Sequence, residues 1–410
     1  MEKLYKLYSS LPELEQYKTR ADIDLTALRY NYRYLKTQFL SNESRPRIIS
    51  VVKADAYGHG APECIRVLLE EGCDFFAVSC IDEAVAVRNV CDRERKKADV
   101  LILGYTDPSL AAQLARYDII QTLLSADYAR LLNHAAQGAD LTVRIHVALD
   151  TGMNRIGFPA YNGESAAHTA EELLRVSHYS HLHTEGIFTH FARADEDPGS
   201  EGDTFTELQY QRFLQVCHAL ERQGMPRLFR HACNSAAAVR SADYHLDGVR
   251  LGIVLYGTRP AEGFDLPLRP VMKLKTVISH VHTLPPGEAV GYGGAFCADS
   301  ERRIATLPIG YADGLLRGFS GGTVTVHTHE GDRRVPIVGR ICMDQCMMDV
   351  TGTEACVGGT VTLFGNHPRE LSDYATRAST IDYECLCLIS SRVPRRYAED
   401  KDGTTQHTEV

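Results

Sequence analysis

The sequence predicts an α/β fold: a (β/α)8, TIM-like barrel followed by a mainly β C-terminal domain. Three observations carry this. Short, continuously apolar strands alternate with helical patterns through residues 22–256. No GxGxxG turn follows the first of these strands, which weakens the rival, an open doubly wound sheet. After "YGTRPAEGFDLPLRP" the pattern turns β-rich. Strands that are apolar on both faces need helices on both faces, and seven or eight such units fit a closed barrel better than an open sheet.

The elements follow in order. "DLTALRYNYRYLKTQF" places Leu25, Leu28, Tyr32, Leu35 and Phe39 on one helical face, with Asp24 as the cap. "PRIISVVK" is a buried strand, "APECIRVLLEEG" a helix ended by Gly72, and "DFFAVS" a strand. "IDEAVAVRNV" is helical, "DVLILG" extended, and "DPSLAAQLARY" helical from an Asp107 cap. "IIQTLL", a helix from Ser125 to Ala136, "TVRIHVAL", "EGIFTHF", a helix from Asp203 to Gln223 and "GVRLGIVLYG" complete the barrel. Residues 257–397 form the second domain, with strands in "VMKLKTVISHVHTL", "RRIATLPIG", "GTVTVHT", "RVPIVG" and "GTVTLFG" and helical turns near 370–390. Residues 1–21 are expected to be an N-terminal segment packing on the C-terminal domain, and 398–410 a polar, frayed tail.

Composition narrows the function. A net charge of -9 argues against general nucleic-acid binding. No apolar run is long enough for a membrane span, and the first twenty residues lack a signal-peptide core, so the cytoplasm is the expected compartment. The twelve cysteines are scattered without a C-x-x-C and read as reduced thiols. The histidines of "HYSHLH" and "HTH" lack partner cysteines or an HExxH pattern, so no metal site is expected.

Lys53, at the tip of "PRIISVVK", is the residue that bulk patterning does not explain. Barrel chemistry sits at the C-terminal ends of the strands. A lysine partly desolvated there loses some of its preference for the charged form, which suits it to bond a carbonyl as a Schiff base. That is how pyridoxal 5'-phosphate is held. On this segment alone, a rim lysine that only snorkels to solvent stays open.

"VVKADAYGHG" resembles the cofactor-lysine signature of bacterial alanine racemases. The similarity continues in "ADIDLTALRYNY", "LDTGMNRIGF", "GIFTHFA", "CNSAA", "VRLGIVLYG", "VGYGGAF", "LPIGYADG" and "GRICMDQ", in the same order across both domains. The resemblance implies pyridoxal phosphate as cofactor, L- and D-alanine as substrates, and a homodimer with shared active sites. Racemisation needs a base on each face of the substrate α-carbon. By resemblance these are Lys53 and Tyr292, the latter reaching in from the partner's β domain. Arg250 would face the cofactor's pyridine nitrogen, and His190 would stack on its ring. Ser235, Gly252, Ile253 and Tyr57 would hold the phosphate. Arg155 would bond the phenolic oxygen and the substrate carboxylate. The partner's Met343 would bind that carboxylate through its backbone N–H, and Tyr311 and Asp344 would complete the substrate site from the β domain. Read without the resemblance, Ser235 is an N-cap, Arg250 a surface arginine and Tyr292 a hairpin tyrosine.

Two departures stand out. Where many members carry a carbamylated lysine seven residues before the arginine, this chain has Ala148, so a small anion such as chloride or an altered network must steady Arg155. Where many carry tyrosine before Arg392, this chain has Ser391. The smaller side chain would widen the substrate pocket, which keeps serine, or a broader set of small amino acids, open beside alanine. The serine racemases of vancomycin-resistance clusters share this plan behind a membrane domain. Two more distant rivals are a non-catalytic barrel that carries the cofactor and a decarboxylase of basic amino acids. "GYGG" and "CMDQ" speak against the first, Arg250 and Tyr292 against the second.

Overall fold

The computed structural model describes residues 19–40, 45–261, 263–264, 266–400 and 405–409. The chain starts with a strand, β1 (Arg20–Asp24), and the helix α1 (Leu25–Leu40). The Asp24 carboxylate accepts from the Ala27 N–H at 2.9 Å, and Leu25, Leu28, Tyr32, Leu35 and Phe39 are all buried. This is the cap and face that the sequence predicts.

Nine strands follow: β2 (Arg47–Val51), β3 (Phe75–Val78), β4 (Asp99–Ile102), β5 (Ile120–Leu123), β6 (Val143–Asp150), β7 (Phe158–Pro159), β8 (Leu182–Phe188), β9 (Phe229–His231) and β10 (Gly248–Leu251). Their order is β5-β4-β3-β2-β10-β9-β8-β6, with the short β7 appended to β6. A further parallel pairing of β5 with β6 closes the ring, so eight parallel strands make a barrel. The strands β3 and β5 are buried at every position, as strands covered on both faces require. The intervening helices are α2 (Ala61–Glu70), α3 (Ile81–Glu94), α4 (Ala111–Arg116), α5 (Ala126–Gly138), α6 (Gly163–Ser177), α7 (Glu201–Arg222) and α8 (Ser235–Arg240).

The second unit is a ten-stranded sheet with a separate two-stranded hairpin. Its strands are β11 (Met272–Val277), β12 (His280–Leu284), the hairpin pair β13 (Ala289–Val290) and β14 (Phe296–Cys297), β15 (Arg302–Leu307), β16 (Thr323–Thr328), β17 (Gly331–Val338), β18 (Cys346–Asp349), β19 (Thr360–Phe364), β20 (Arg395–Asp400) and β21 (Thr405–Glu409). Helices α9 (Pro368–Arg377) and α10 (Asp382–Cys387) supply the expected turns.

Both ends of the chain differ from expectation. β1 lies between β11 and β20 in this second sheet, so the residues that precede α1 belong to the β unit and not to the barrel. The N-terminal segment expected at 1–21 falls, up to residue 18, outside the described residues. The tail expected to fray from 398 continues β20 to Asp400, and Thr405–Glu409 then pair antiparallel with it. Polar side chains suit an edge strand, whose backbone still gains a hydrogen-bonded neighbour.

A charge network ties barrel to sheet. Glu399 on β20 is 5% exposed and accepts from Arg29 of α1 at 2.5 Å and Arg66 of α2 at 2.8 Å. A carboxylate buried this far would be costly without such partners. No helix among the described residues is long and apolar enough to cross a membrane.

Candidate active site

The backbone reverses its hand directly after Lys53. Ala54, Asp55, Ala56 and Tyr57 have φ of 52°, 54°, 54° and 54°, one left-handed turn made of residues other than glycine. Each such residue costs roughly 1–2 kcal/mol relative to a right-handed one. The turn is held from several sides. The Ala54 N–H donates to Glu83 Oε1 at 2.7 Å, the Ala61 N–H to Asp55 Oδ1 at 2.7 Å, and the Ala56 N–H to the Val52 carbonyl at 3.0 Å. Inside it, the fully buried His59 stacks on Tyr256 with ring centroids 4.6 Å apart, and its Nδ1 lies 2.9 Å from the carbonyls of Ala56 and Tyr57. Burial pushes the His59 pKa down to about 4, so this support is neutral. Lys53 is therefore presented by a turn built to hold a single conformation.

Burial, and then the guanidinium of Arg155, lower the Lys53 pKa; Arg250 adds to this, and Cys387 and Glu83 oppose it. Such an ammonium gives up its proton more readily than a surface lysine. Arg250 is 2% exposed. It donates to the carbonyls of His231, Thr189 and Ala232 at 3.2, 2.9 and 2.9 Å, to His231 Nδ1 at 2.8 Å and towards His190 Nδ1 at 3.3 Å. A guanidinium only donates, so His231 must accept at Nδ1 and carry its proton on Nε2, which then donates to His146 Nδ1 at 3.0 Å. Burial, followed by Arg250, holds the His231 pKa far below the ordinary imidazole range. No carboxylate pairs with Arg250 among the described residues, and burial lowers its pKa to about 10. The surface position that Arg250 would have without the resemblance is thus ruled out.

The remaining barrel residues gather at the same end. His190 is half-buried, and burial, Arg250, Arg155 and Lys53 together keep it neutral. Ser235 is the first residue of α8, but Asn234 is the cap: its side chain accepts from the Ala237 N–H at 3.0 Å. Ser235 Oγ accepts instead from the Gly252 N–H at 2.9 Å, which leaves its own hydrogen to donate. A Cβ on Gly252 would lie 2.4 Å from Tyr57 Oη, so only glycine allows that hydroxyl so close to the backbone here. Arg155 is exposed, without an ion pair among the described residues. Its loop is fixed by Asp150, whose Oδ1 accepts from the N–H groups of Gly152 and Asn154, each at 3.0 Å, and whose Oδ2 accepts from Tyr161 at 2.9 Å. Ala148, at the position of the lysine found in many members, is buried in β6.

The β-unit residues form a second group. Tyr292 tops the β13–β14 hairpin between Gly291 and Gly293, whose φ of 70° and 71° a larger residue would resist. It is 70% exposed and borders a cavity of about 530 Å³ with His282, Leu284, Val290, Ile304 and Met347. No residue of the Lys53 rim lines that cavity. Tyr311 and Met343 are 45% and 54% exposed, and the Tyr311 and Ala312 N–H groups donate to the Cys342 and Met343 carbonyls at 3.1 and 2.9 Å. Arg392 pairs with Asp344 at 2.9 Å, and the neighbouring Ser391 is exposed. Sequence reasoning missed Glu83, His59, His231 and His146. Only His59, inside the motif, left a signal; Glu83, His231 and His146 meet Ala54, Arg250 and His231 through contacts that no local pattern announces.

Residues 23–260 match the family model for the alanine racemase N-terminal domain and 271–397 that for the C-terminal domain. The chain is 40% identical over 389 residues to the alanine racemase of Clostridium tetani (strain Massachusetts / E88), covering 93% of this chain and 95% of that one. The solved alanine racemase of Clostridium difficile 630 superposes with a TM-score of 0.84 at 34% identity, over 96% of this chain and 98% of the other. The Bacillus anthracis alanine racemase with bound L-Ala-P gives a TM-score of 0.82 at 31% identity, over the same shares of the two chains. Two domain matches that together run almost from end to end, with relatives and solved structures of one kind, make this chain a member of the alanine racemase family.

Proposed function

We propose that the protein interconverts L- and D-alanine with pyridoxal phosphate as cofactor, in a homodimer whose two active sites are shared. The observation that carries this reading is the cluster at one barrel end: a lysine with a lowered pKa beside two guanidiniums, one buried without a carboxylate. An uncompensated buried cation fits an electron-rich group set against it. The free Ser235 hydroxyl, the backbone N–H groups near Gly252 and Tyr57 fit a phosphate.

When bound, pyridoxal phosphate supplies the electron sink that acidifies the substrate α-carbon. Lys53 would hold it through its amine and move a proton on one face of that carbon. Tyr292 of the partner subunit would do so on the other. Arg155, with the N–H of the partner's Met343, would bind the substrate carboxylate, while Tyr311 and Asp344 line the approach. His190 would cover the ring, and Arg250, which no carboxylate neutralises among the described residues, would donate to the pyridine nitrogen without protonating it. The cytoplasm is the proposed compartment, and free thiols at all twelve cysteines support it. The test is a chiral assay of L-alanine with the purified, cofactor-loaded protein. Absence of D-alanine, or of the cofactor's visible absorption on the pure protein, would overturn the reading.

Two further results are expected. Arg250→Glu places an acid against the ring nitrogen, so transamination during turnover should rise relative to racemisation; an unchanged ratio would remove Arg250 from that role. At Ser391, a small exposed side chain leaves room for a substrate hydroxyl. Alanine is then preferred over serine by about 10²-fold or less, and Ser391→Tyr should widen the gap. Equal serine-to-alanine ratios of kcat/KM in the two proteins would show that Ser391 does not set the pocket.

A further inference from the structure

We propose that Gln209, a fully buried amide on α7, is a positioning residue that holds the Arg155 loop and the His190 loop in register. The inference rests on the reading above, in which those two loops serve substrate and cofactor.

The orientation of the amide is fixed by its partners. Oε1 accepts from the Ala192 N–H at 2.9 Å, so Nε2 must be the end that faces the His190 carbonyl at 3.1 Å and Thr151 Oγ1 at 3.2 Å. The hydroxyls then have a single consistent direction. Thr189 Oγ1 donates to the Leu149 carbonyl at 3.0 Å, so Thr151 Oγ1 donates to Thr189 Oγ1 at 2.7 Å and accepts from Gln209. A one-way chain thus runs from Gln209 through Thr151 and Thr189 to the backbone of β6. Gln209, Thr151 and Thr189 are all essentially inaccessible to solvent, so no water can take over a lost partner.

This chain joins the ends of two neighbouring barrel strands. Thr151 opens the loop after β6 that leads to Arg155, and Thr189 to Ala192 form the loop after β8 that carries His190. α7 grips the first loop a second time through Arg212, one turn on, which donates to the Thr151 carbonyl at 2.8 Å. The second loop is also anchored by Arg250, which donates to the Thr189 carbonyl. Gln209 is the side chain that bonds to both loops at once. Its effect follows from where the loops lead: a shift here moves the carboxylate-binding arginine relative to the ring-covering histidine. In a chain with alanine at position 148, this amide takes part of the burden of fixing the Arg155 loop.

The test compares Gln209→Glu, Gln209→Met and Thr151→Val with the unaltered holoenzyme. Glutamate keeps the shape but offers one hydrogen at most, where the amide gives two to the His190 carbonyl and Thr151; methionine removes all three bonds; Thr151→Val breaks the chain without touching α7. The readouts are kcat and KM for L-alanine, the Kd of pyridoxal phosphate by absorbance titration, and Tm. The expected result is a rise in KM of roughly ten-fold for Gln209→Glu, the scale of one lost buried hydrogen bond. The Kd of the cofactor should weaken in parallel, and Thr151→Val should raise KM by a smaller factor with little change in Tm. Tm falling while KM and Kd stay at their unaltered values would reduce Gln209 to a structural residue and overturn the proposal. Should the glutamate variant not fold, the KM of Thr151→Val decides the matter alone. An unaltered protein that neither binds the cofactor nor racemises alanine would instead refute the underlying function.

Discussion

Replacing Lys53 by alanine is expected to lower racemisation of both L- and D-alanine by at least about 10²–10⁴-fold, the range that a positioned proton-transfer group supplies. The size of the effect reflects two tasks on one nitrogen: retention of the cofactor and proton transfer at the substrate α-carbon. The surroundings suit both. Burial and the nearby guanidiniums of Arg155 and Arg250 disfavour the ammonium, and the left-handed turn that begins at Ala54 fixes where the side chain starts. Borohydride reduction of the loaded protein followed by peptide mapping should tag Lys53 and no other lysine. An untagged Lys53, or a Lys53→Ala variant that retains activity, would dismantle the proposed chemistry.

The second large effect concerns Tyr292. Tyr292→Phe removes one hydroxyl from an exposed hairpin and should cost about 10²–10⁴-fold in turnover if that phenol is the opposite base. A complementation experiment separates a shared site from one built within a single chain. Lys53→Ala and Tyr292→Phe proteins, each nearly inactive, are unfolded together and refolded as a mixture. In a shared-site homodimer, the mixed dimers carry one site with both bases intact, so roughly a quarter of the unaltered activity should return. If both bases came from one chain, every site would retain a defect and nothing would return. The exposed Tyr292, Tyr311 and Met343 motivate this arrangement, since residues of an active site do not ordinarily face bulk water.

The barrel was legible because its strands carry their own signal. "DFFAVS" is apolar at four successive positions, Phe75 to Val78, and burial on both faces accounts for that. β1 carried no such signal. Arg20, Asp22 and Asp24 alternate with Ala21 and Ile23, and the strand's partners, Met272–Lys275 and Arg395–Ala398, lie hundreds of residues away. β21 was hidden by its polar composition, because an edge strand needs backbone partners more than apolar side chains. At the site, motif residues such as Lys53, Arg155 and Arg250 could be named from sequence. Their supports could not. Nothing in "ADAY" announces four positive φ angles, and neither "RHACNSAA" nor "TELQYQRF" says that His231 would brace Arg250 or that Gln209 would bridge two loops.

The position of β1 bears on how the molecule is made. The ribosome releases Arg20–Asp24 first, yet one neighbour of that strand begins at Met272 and the other at Arg395. At roughly 5–20 residues per second, the wait for the last neighbour is on the order of tens of seconds. The barrel can close during that interval, whereas the β unit cannot be finished until Arg395–Ala398 have been made. A nascent chain therefore trails an unmatched ribbon that chaperones or a wrong neighbour can seize, and deletions near Arg395 should lower the yield of folded protein.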